Sequence, residues 1–186
     1  AFREGTLDRL YQSGAAKAFM PRSFGQAHEV VLVNTAGGIT GGDAYRYKCS
    51  SDSSQMLVTT QAAERAYASN TTDIASMNIH LSARNDAILH WMPQETILFD
   101  QSRLARIIEI DLDTSSECLV LESLVFGRHA MGEILLNCHF TDHWRIRRDG
   151  HLVHAEALRL DNDVACLLGA SAGVAGAQMA ATCVYV

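Results

Sequence analysis

An acid inside an apolar run is the first residue of chemical interest. Glu122 lies in Leu119-Val-Leu-Glu-Ser-Leu-Val-Phe126, a composition that predicts a buried strand. Burying a carboxylate is costly unless a cation accompanies it, so we predict an internal ion pair with the nearby Arg128. The functional alternative is that Glu122 lines an internal, water-filled passage.

Histidines gather in the last third of the chain, around a predicted hairpin. His143, His154 and Glu156 fall on its predicted polar face, beside Arg145. Such a cluster could hold a divalent ion transiently or form a salt-bridged surface. The sequence has no HExxH motif and no CxxC pair, so the spacing does not choose between these possibilities. The corresponding enzyme hypothesis is a β-rich metal-dependent hydrolase that uses His143, His154 and Glu156.

The turn of this hairpin is specified by Asp149-Gly150, which supplies the positive φ angles of a two-residue type I′ turn. The turn also sets a register, which places core residues on one face of the hairpin and polar residues on the other. The predicted pairs are Arg148 with His151, Ile146 with Val153, Trp144 with Ala155, Arg145 with His154, and His143 with Glu156.

A glycine-rich segment, Asn34-Thr-Ala-Gly-Gly-Ile-Thr-Gly-Gly-Asp43, is the most conspicuous local motif. It lacks the Lys-Ser/Thr of a phosphate-binding Walker loop, and the residues after it predict a strand instead of the helix of a dinucleotide site. The spacing therefore favours a tight structural loop built on Gly37, Gly38, Gly41 and Gly42. A close approach of its backbone to a partner or an ion stays open. No GxSxG nucleophile motif occurs in the chain.

The elements that must position these residues are mostly strands. Short apolar runs with a period of two, separated by Gly-, Asn-, Asp- and Ser-rich turns, predict an antiparallel β architecture with little helix. The segment from Val164 to Val186 carries no charge. Its many small and polar residues argue against a membrane span, and we predict an interior position for it.

Composition narrows the class of protein. The chain has 186 residues, a formal net charge of −6 and 48% hydrophobic residues, which predicts a globular domain. Without a basic block, we expect no nucleic-acid partner. Five widely spaced cysteines and the absence of an export-type leader predict a cytoplasmic protein.

Six separated motifs together resemble the urease accessory protein family UreD, also called UreH. The resemblance extends from about Leu10 to about Leu168, with the motifs in the same order. The motifs are Leu10-Tyr-Gln-Ser-Gly-Ala-Ala-Lys17, the glycine segment Asn34 to Asp43, Thr59-Thr-Gln-Ala-Ala-Glu64, Met92-Pro-Gln-Glu-Thr-Ile-Leu-Phe-Asp100, Phe126-Gly-Arg-His-Ala-Met-Gly-Glu133 and Trp144-Arg-Ile-Arg-Arg-Asp-Gly150.

This resemblance implies a mainly β fold, an elongated two-layer or β-helical scaffold with few helices. It implies one UreD-like domain over residues 1–186, without the C-terminal part of the family, which includes helical surface used for UreF. The implied role is non-catalytic: binding UreF, recruiting UreG through it, and docking on apo-urease to deliver nickel. We expect no tightly bound cofactor, only transient Ni²⁺, and no membrane partner.

The resemblance also implies roles for individual residues. Asp43, Glu122 and Glu156 match acids implicated in nickel handling, and Glu64 lies where family members vary. Structural roles are implied for Arg128 and Glu133. The same holds for the four glycines of the loop and for the turn residues Asp149 and Gly150. A purely structural chaperone, with nickel arriving by another path, is the remaining hypothesis.

Overall fold

The computed structural model describes residues 1–22, 25 and 27–186. Strands account for 55% of the chain and helices for 4%, so the mainly β prediction is confirmed. Besides one 3₁₀ turn, His129–Met131, a single short helix, α1 (Val164–Gly169), is present in these ranges. The strands are β1 (Phe2–Arg3), β2 (Thr6–Leu7), β3 (Ala16–Phe19), β4 (His28–Asn34), β5 (Ala44–Asp52), β6 (Gln55–Thr60), β7 (Glu64–Ala66), β8 (Ala75–Arg84), β9 (Ile88–Trp91), β10 (Thr96–Leu98), β11 (Arg103–Leu112), β12 (Glu117–Phe126), β13 (His139–Arg148), β14 (His151–Leu160) and β15 (Met179–Tyr185).

The strands form two sheets that the chain visits in turn, as in a β-solenoid. Sheet A has the order β14-β13-β11-β8-β5-β1-β2. Sheet B has the order β3-β4-β6-β9-β12-β10-β7, and β15 also pairs with β12. The successive coils are β4–β5, β6–β7–β8, β9–β10–β11 and β12–β13, followed by β14 and β15. The β-helical prediction is therefore confirmed.

The predicted antiparallel pairing is wrong, because neighbouring strands of a sheet belong to successive coils and run in the same direction. Nine of the thirteen strand pairs in the described ranges are parallel. Alternating hydrophobicity reports that one face of a strand is buried, and it is compatible with either direction of pairing.

The core lies between the sheets, where equivalent positions of successive coils stack. Leu81, Ile110 and Ile146 are adjacent in register on β8, β11 and β13, and each has 0% exposure. Full burial of such a side chain contributes about 1.5–3 kcal/mol. This stacking fixes the direction of every inward side chain, including the polar ones described below.

The β13–β14 hairpin has the predicted turn but a different register. Asp149 (φ 48°) and Gly150 (φ 78°) have positive φ angles, and Arg148 pairs with His151. Val153 is an extra residue in β14, and beyond it the pairs are Ile146 with His154, Arg145 with Ala155, Trp144 with Glu156 and His143 with Ala157.

This β-bulge makes the predicted register wrong from Ile146 onward, because one inserted residue reverses which face each later side chain occupies. His154 and Glu156 now lie on the inward face, beside buried Ile146 and Trp144, whereas His143 is exposed on the outer face. The predicted cluster of His143, His154 and Glu156 is therefore split between the two faces.

The uncharged segment from Val164 to Val186 is wrongly predicted as interior, since Val164 is its only fully buried residue. In β15, half-buried Ala180, Thr182 and Val184 alternate with exposed residues, as expected of an edge strand with one covered face. Across the described ranges, no helix has both the length and the apolar character needed to cross a membrane.

Candidate functional site

A buried group of three charged side chains lies between the sheets. Arg106 on β11 is 1% exposed and lies between Glu122 on β12 and Asp142 on β13, which are 4% and 5% exposed. Its Nη1 donates to Glu122 Oε2 at 2.5 Å, and its Nε and Nη2 donate to the two oxygens of Asp142 at 3.0 and 2.6 Å. The planar guanidinium thus bridges two coils with charge-assisted hydrogen bonds.

The predicted partner of Glu122, Arg128, is wrong. Arg128 binds Glu133, with Nη2 to Oε1 at 2.8 Å and Nε to Oε2 at 3.1 Å, and its guanidinium lies 4.4 Å from the centre of the Phe99 ring. The reason is Gly127, whose φ of 84° turns the chain out of β12 before Arg128. Arg128 and Glu133 therefore form a partly exposed pair that holds this loop.

Sequence reasoning missed Arg106 and Asp142, although a signal for both was present. Arg106 takes the inward position between Leu104 and Ile108, and Asp142 takes it between Phe140 and Trp144. A charged residue in the apolar phase of an alternating strand must be paired or exposed. Two such residues of opposite charge on adjacent strands predict each other as partners.

Hydrogen bonds from two tryptophans complete the group. Trp91 Nε1 donates to Glu122 Oε1 at 2.7 Å, and Trp144 Nε1 donates to Asp142 Oδ2 at 3.0 Å. Burial raises the pKa of Glu122, an effect that Arg106 and Trp91 oppose. Burial alone would lower the pKa of Arg106, but the two acids hold it above its ordinary value, so the guanidinium stays charged.

A second polar group lies nearer the start of the solenoid, around Glu64 on β7. Asn34 Nδ2 donates to both oxygens of Glu64, at 3.1 and 3.2 Å, and the Arg65 backbone N–H donates to Oε1 at 3.1 Å. Asn34 in turn accepts a hydrogen bond from the Tyr45 hydroxyl at 2.8 Å. Burial raises the pKa of Glu64 despite these donors, and the charge of Asp43 adds to the rise.

Two cavities that share part of their lining lie beside these groups. The larger, about 140 Å³, is lined by Asn34 and Glu64, and the smaller, about 30 Å³, by Glu64, Arg106 and Glu122. Each is large enough for water, which the polar lining can hydrogen-bond. Both cavities share the lining residues Leu32, Tyr47, Thr60 and Glu64.

Glu156 continues this arrangement at the far end of the solenoid. Thr182 on β15, the cross-strand neighbour of Glu122, donates its hydroxyl to Glu156 Oε1 at 3.2 Å. His154 Nε2 lies 3.8 Å from Glu156 Oε2, and this buried atom has no hydrogen-bond partner among the described residues. Glu156 therefore lies on the inward side of the edge between β14 and β15, where its side chain is 35% exposed.

Asp43 has a different position, in the turn that the glycine segment forms. Its Oδ2 accepts the Thr40 backbone N–H at 2.9 Å. A Cβ added at Gly38 would lie 2.8 Å from the Arg65 carbonyl oxygen, and one at Gly41 would lie 2.6 Å from the Asp73 carbonyl oxygen. Gly37 and Gly42 have φ angles of 80° and 88°. These are the contacts of a close-packed turn that positions Asn34 and Asp43.

Every coil thus contributes a polar side chain to the space between the sheets. We call this set the polar row: Asn34 on β4, Glu64 on β7, Arg106 on β11, Glu122 on β12 with Asp142 on β13, and Glu156 on β14 with Thr182 on β15. Within the described part of the chain, no three His, Cys, Asp or Glu side chains are grouped so as to hold a metal ion. The row offers separated carboxylates in succession.

The raised pKa of Glu64 predicts a pH-dependent effect of Glu64→Gln. A raised pKa in the folded protein contributes stability that is present below the ordinary value of 4.5 and is lost as pH rises through the folded value. Glutamine does not titrate, so the melting temperature of the variant should rise relative to wild type as pH increases above 4.5.

Glu133→Gln is the matched control for that measurement. Its hydrogen bonds from Arg128 lower the pKa of Glu133, so the stability it contributes is present above the ordinary value and lost on acidification. The melting temperature of this variant should fall relative to wild type as pH rises toward 4.5 and stay level above that value. The same trend in both variants would contradict the assignment of Glu64 as a group with a raised pKa.

Comparison with known proteins places this arrangement in a family. The model of the UreD urease accessory protein family matches residues 2–186. The chain belongs to the UreD family. The confirmed β-solenoid and the six motifs agree with that membership.

The curated relatives carry the same family name. The chain is 44% identical over 181 residues to the urease accessory protein UreD of Agrobacterium fabrum, covering 97% of this chain and 63% of that protein. It is 43% identical over 180 residues to the UreD of Rhizobium leguminosarum bv. trifolii, covering 96% and 66%. The UreD of Chelativorans sp. is 48% identical over 161 residues, covering 85% and 58%. This UreD-family chain thus spans less than two thirds of the length of these relatives.

Proposed function

We propose that this UreD-family chain is part of a non-catalytic, cytoplasmic scaffold that assembles with UreF, and through it with UreG, on apo-urease. In this proposal the polar row is the path by which nickel reaches urease. The observation that supports it is a pair of cavities that share four lining residues, one of which is lined by both Glu64 and Glu122. In this proposal Asp43, in the turn of the glycine segment, and Glu156, on β14, are further carboxylates of the path.

The ligands in the polar row suit transient binding of an ion better than permanent binding. Nickel is cargo here, and successive oxygen ligands with water bind a borderline divalent cation weakly enough to release it. A complete set of histidine and cysteine ligands would retain the ion. Burial raises the pKa of Glu64, so a bare carboxylate is disfavoured there, and an arriving cation would stabilise its charged form.

Arg106 has a defined part in this proposal. Its guanidinium compensates the charge of Glu122 and Asp142 in the empty protein and repels a second cation nearby. Without it, the buried carboxylates of Glu122 and Asp142, which lie on strands of the two facing sheets, would form a strong cation site. Arg106 therefore keeps the middle of the row from trapping nickel.

Glu64→Gln tests this function, since it removes one carboxylate while keeping the shape of the side chain. The full-length variant is co-expressed with apo-urease, UreF and UreG at limiting nickel, and urease activity is measured. Loss of one metal-handling group should lower activation about tenfold. Recovery of the complex by pull-down establishes that assembly is intact.

Glu133→Gln is again the control, because its carboxylate is bound to Arg128 outside the polar row. It should activate urease at the wild-type level. If Glu64→Gln does the same while assembling normally, nickel does not use this path, and the chain is a structural scaffold only.

A further inference from the structure

The outer face of sheet A has a charge opposite to that of the whole chain. The strands β1, β5, β8, β11, β13 and β14 present alternate side chains outward, and we call these outward side chains the basic face. Eight Lys and Arg residues oppose three acids there, although the chain as a whole has a net charge of −6. They are Arg3, Arg46, Lys48, Arg84, Arg103, Arg145, Arg147 and Arg159, against Asp52, Glu109 and Asp111.

Register arranges these charges in stripes along the strands. Lys48, His80, Glu109 and Arg145 form one row across β5, β8, β11 and β13. One cation stripe therefore lies on β5, a second on β13, and the acids of β11 lie between them. The cation stripes are three strand spacings apart, or about 14 Å.

The cations of the β5 stripe are available for a partner. Arg46 and Lys48 are exposed, and no carboxylate of the described residues lies within 4.0 Å of either. Cations two residues apart on one face of a strand repel each other, so the unpaired Arg46 and Lys48 do not stabilise the folded protein. An acidic partner would remove that repulsion.

We propose that the basic face docks an acidic protein surface, one with two rows of Asp or Glu about 14 Å apart. This inference goes beyond the nickel path, which lies inside the solenoid. The five long strands of the face, which are β5, β8, β11, β13 and β14, are about 30 Å long and give it an area of roughly 700 Å². That area is close to the roughly 800 Å² that each partner contributes to a standard protein interface.

Two features favour a protein over a phosphate polymer. Exposed Ile107 (42%) lies near the middle of the face, between Asn78 and His143, where a protein interface has its apolar centre. The acids Glu109 and Asp111 would repel a phosphate backbone, and the outward positions of these strands carry no Phe, Tyr or Trp on which bases could stack.

Binding of the full-length protein to immobilised poly-L-glutamate tests the inference, with duplex DNA as the competing probe. Arg46→Gln/Lys48→Gln should weaken poly-L-glutamate binding roughly three- to tenfold, since it removes two exposed ion pairs. Lys17→Gln/Arg22→Gln removes the same charge away from the basic face and should bind like wild type. Higher salt should weaken wild-type binding.

Several results would overturn the inference. These are equal affinity of the two double variants, tighter binding of DNA than of poly-L-glutamate, or no wild-type binding to poly-L-glutamate. Analytical ultracentrifugation of both double variants tests whether the basic face mediates self-association instead. If Arg46→Gln/Lys48→Gln changes only self-association, the face binds a second copy of this chain and the proposal fails.

Discussion

Arg106→Met is expected to lower the free energy of unfolding of the full-length protein by about 3–5 kcal/mol. Methionine replaces the aliphatic stem of arginine but has no group that can donate to Glu122 or Asp142, which lie at 2.5 and 2.6 Å from the guanidinium nitrogens. Both carboxylates would stay buried without a cation, which is the costly outcome for a buried ion pair. Urea unfolding of variant and wild type gives the difference.

A triple variant, Arg106→Met/Glu122→Gln/Asp142→Asn, separates lost charge from lost packing. Its amide oxygens can still accept from Trp91 and Trp144, so much of the stability should return. The single variant should also lose less stability near pH 4 than near pH 7, because protonation neutralises the two unpaired acids. If Arg106→Met is as stable as wild type, the buried group is not the structural centre described here.

Glu122→Gln is expected to separate function from stability. The variant keeps the bidentate bonds between Arg106 and Asp142, so it should destabilise the protein less than Arg106→Met does. It removes the carboxylate at the inner end of the cavities, and urease activation should fall about tenfold. The assay is urease activity at limiting nickel with the full-length variant.

The control for this variant lies on the same strand. Glu117 begins β12, is exposed, and accepts a hydrogen bond from the Tyr185 hydroxyl at 2.5 Å. Glu117→Gln is the same chemical change on the outer face and should leave activation unchanged. Equal activation by both variants would show that the inward carboxylate has no part in nickel delivery.

The strands and the family could be predicted from the sequence, because alternating hydrophobic runs and ordered motifs depend on local residue types. The turn at Asp149-Gly150 could also be predicted, because its φ requirements are local. The parallel pairing was not predictable from the period of two, since the direction of a neighbour depends on how the chain closes each coil.

The details of the site depended on longer-range structure. The bulge at Val153 places Glu156 on the inward face and separates it from His143. The residue types around Val153 do not predict an inserted residue. Glu122 paired with Arg106, sixteen residues before it, instead of the nearer Arg128. Proximity along the chain was the wrong criterion, whereas the inward phase of Arg106 in its own strand would have been the right one.

The most direct test of the nickel path is the nickel content of urease matured by full-length Glu122→Gln, measured by elemental analysis. Complexes with UreF and UreG are recovered in parallel, and Glu117→Gln serves as the reference. We expect the complex at the wild-type level and urease depleted of nickel about tenfold for Glu122→Gln alone. An intact complex that yields fully loaded urease would contradict a path through the polar row.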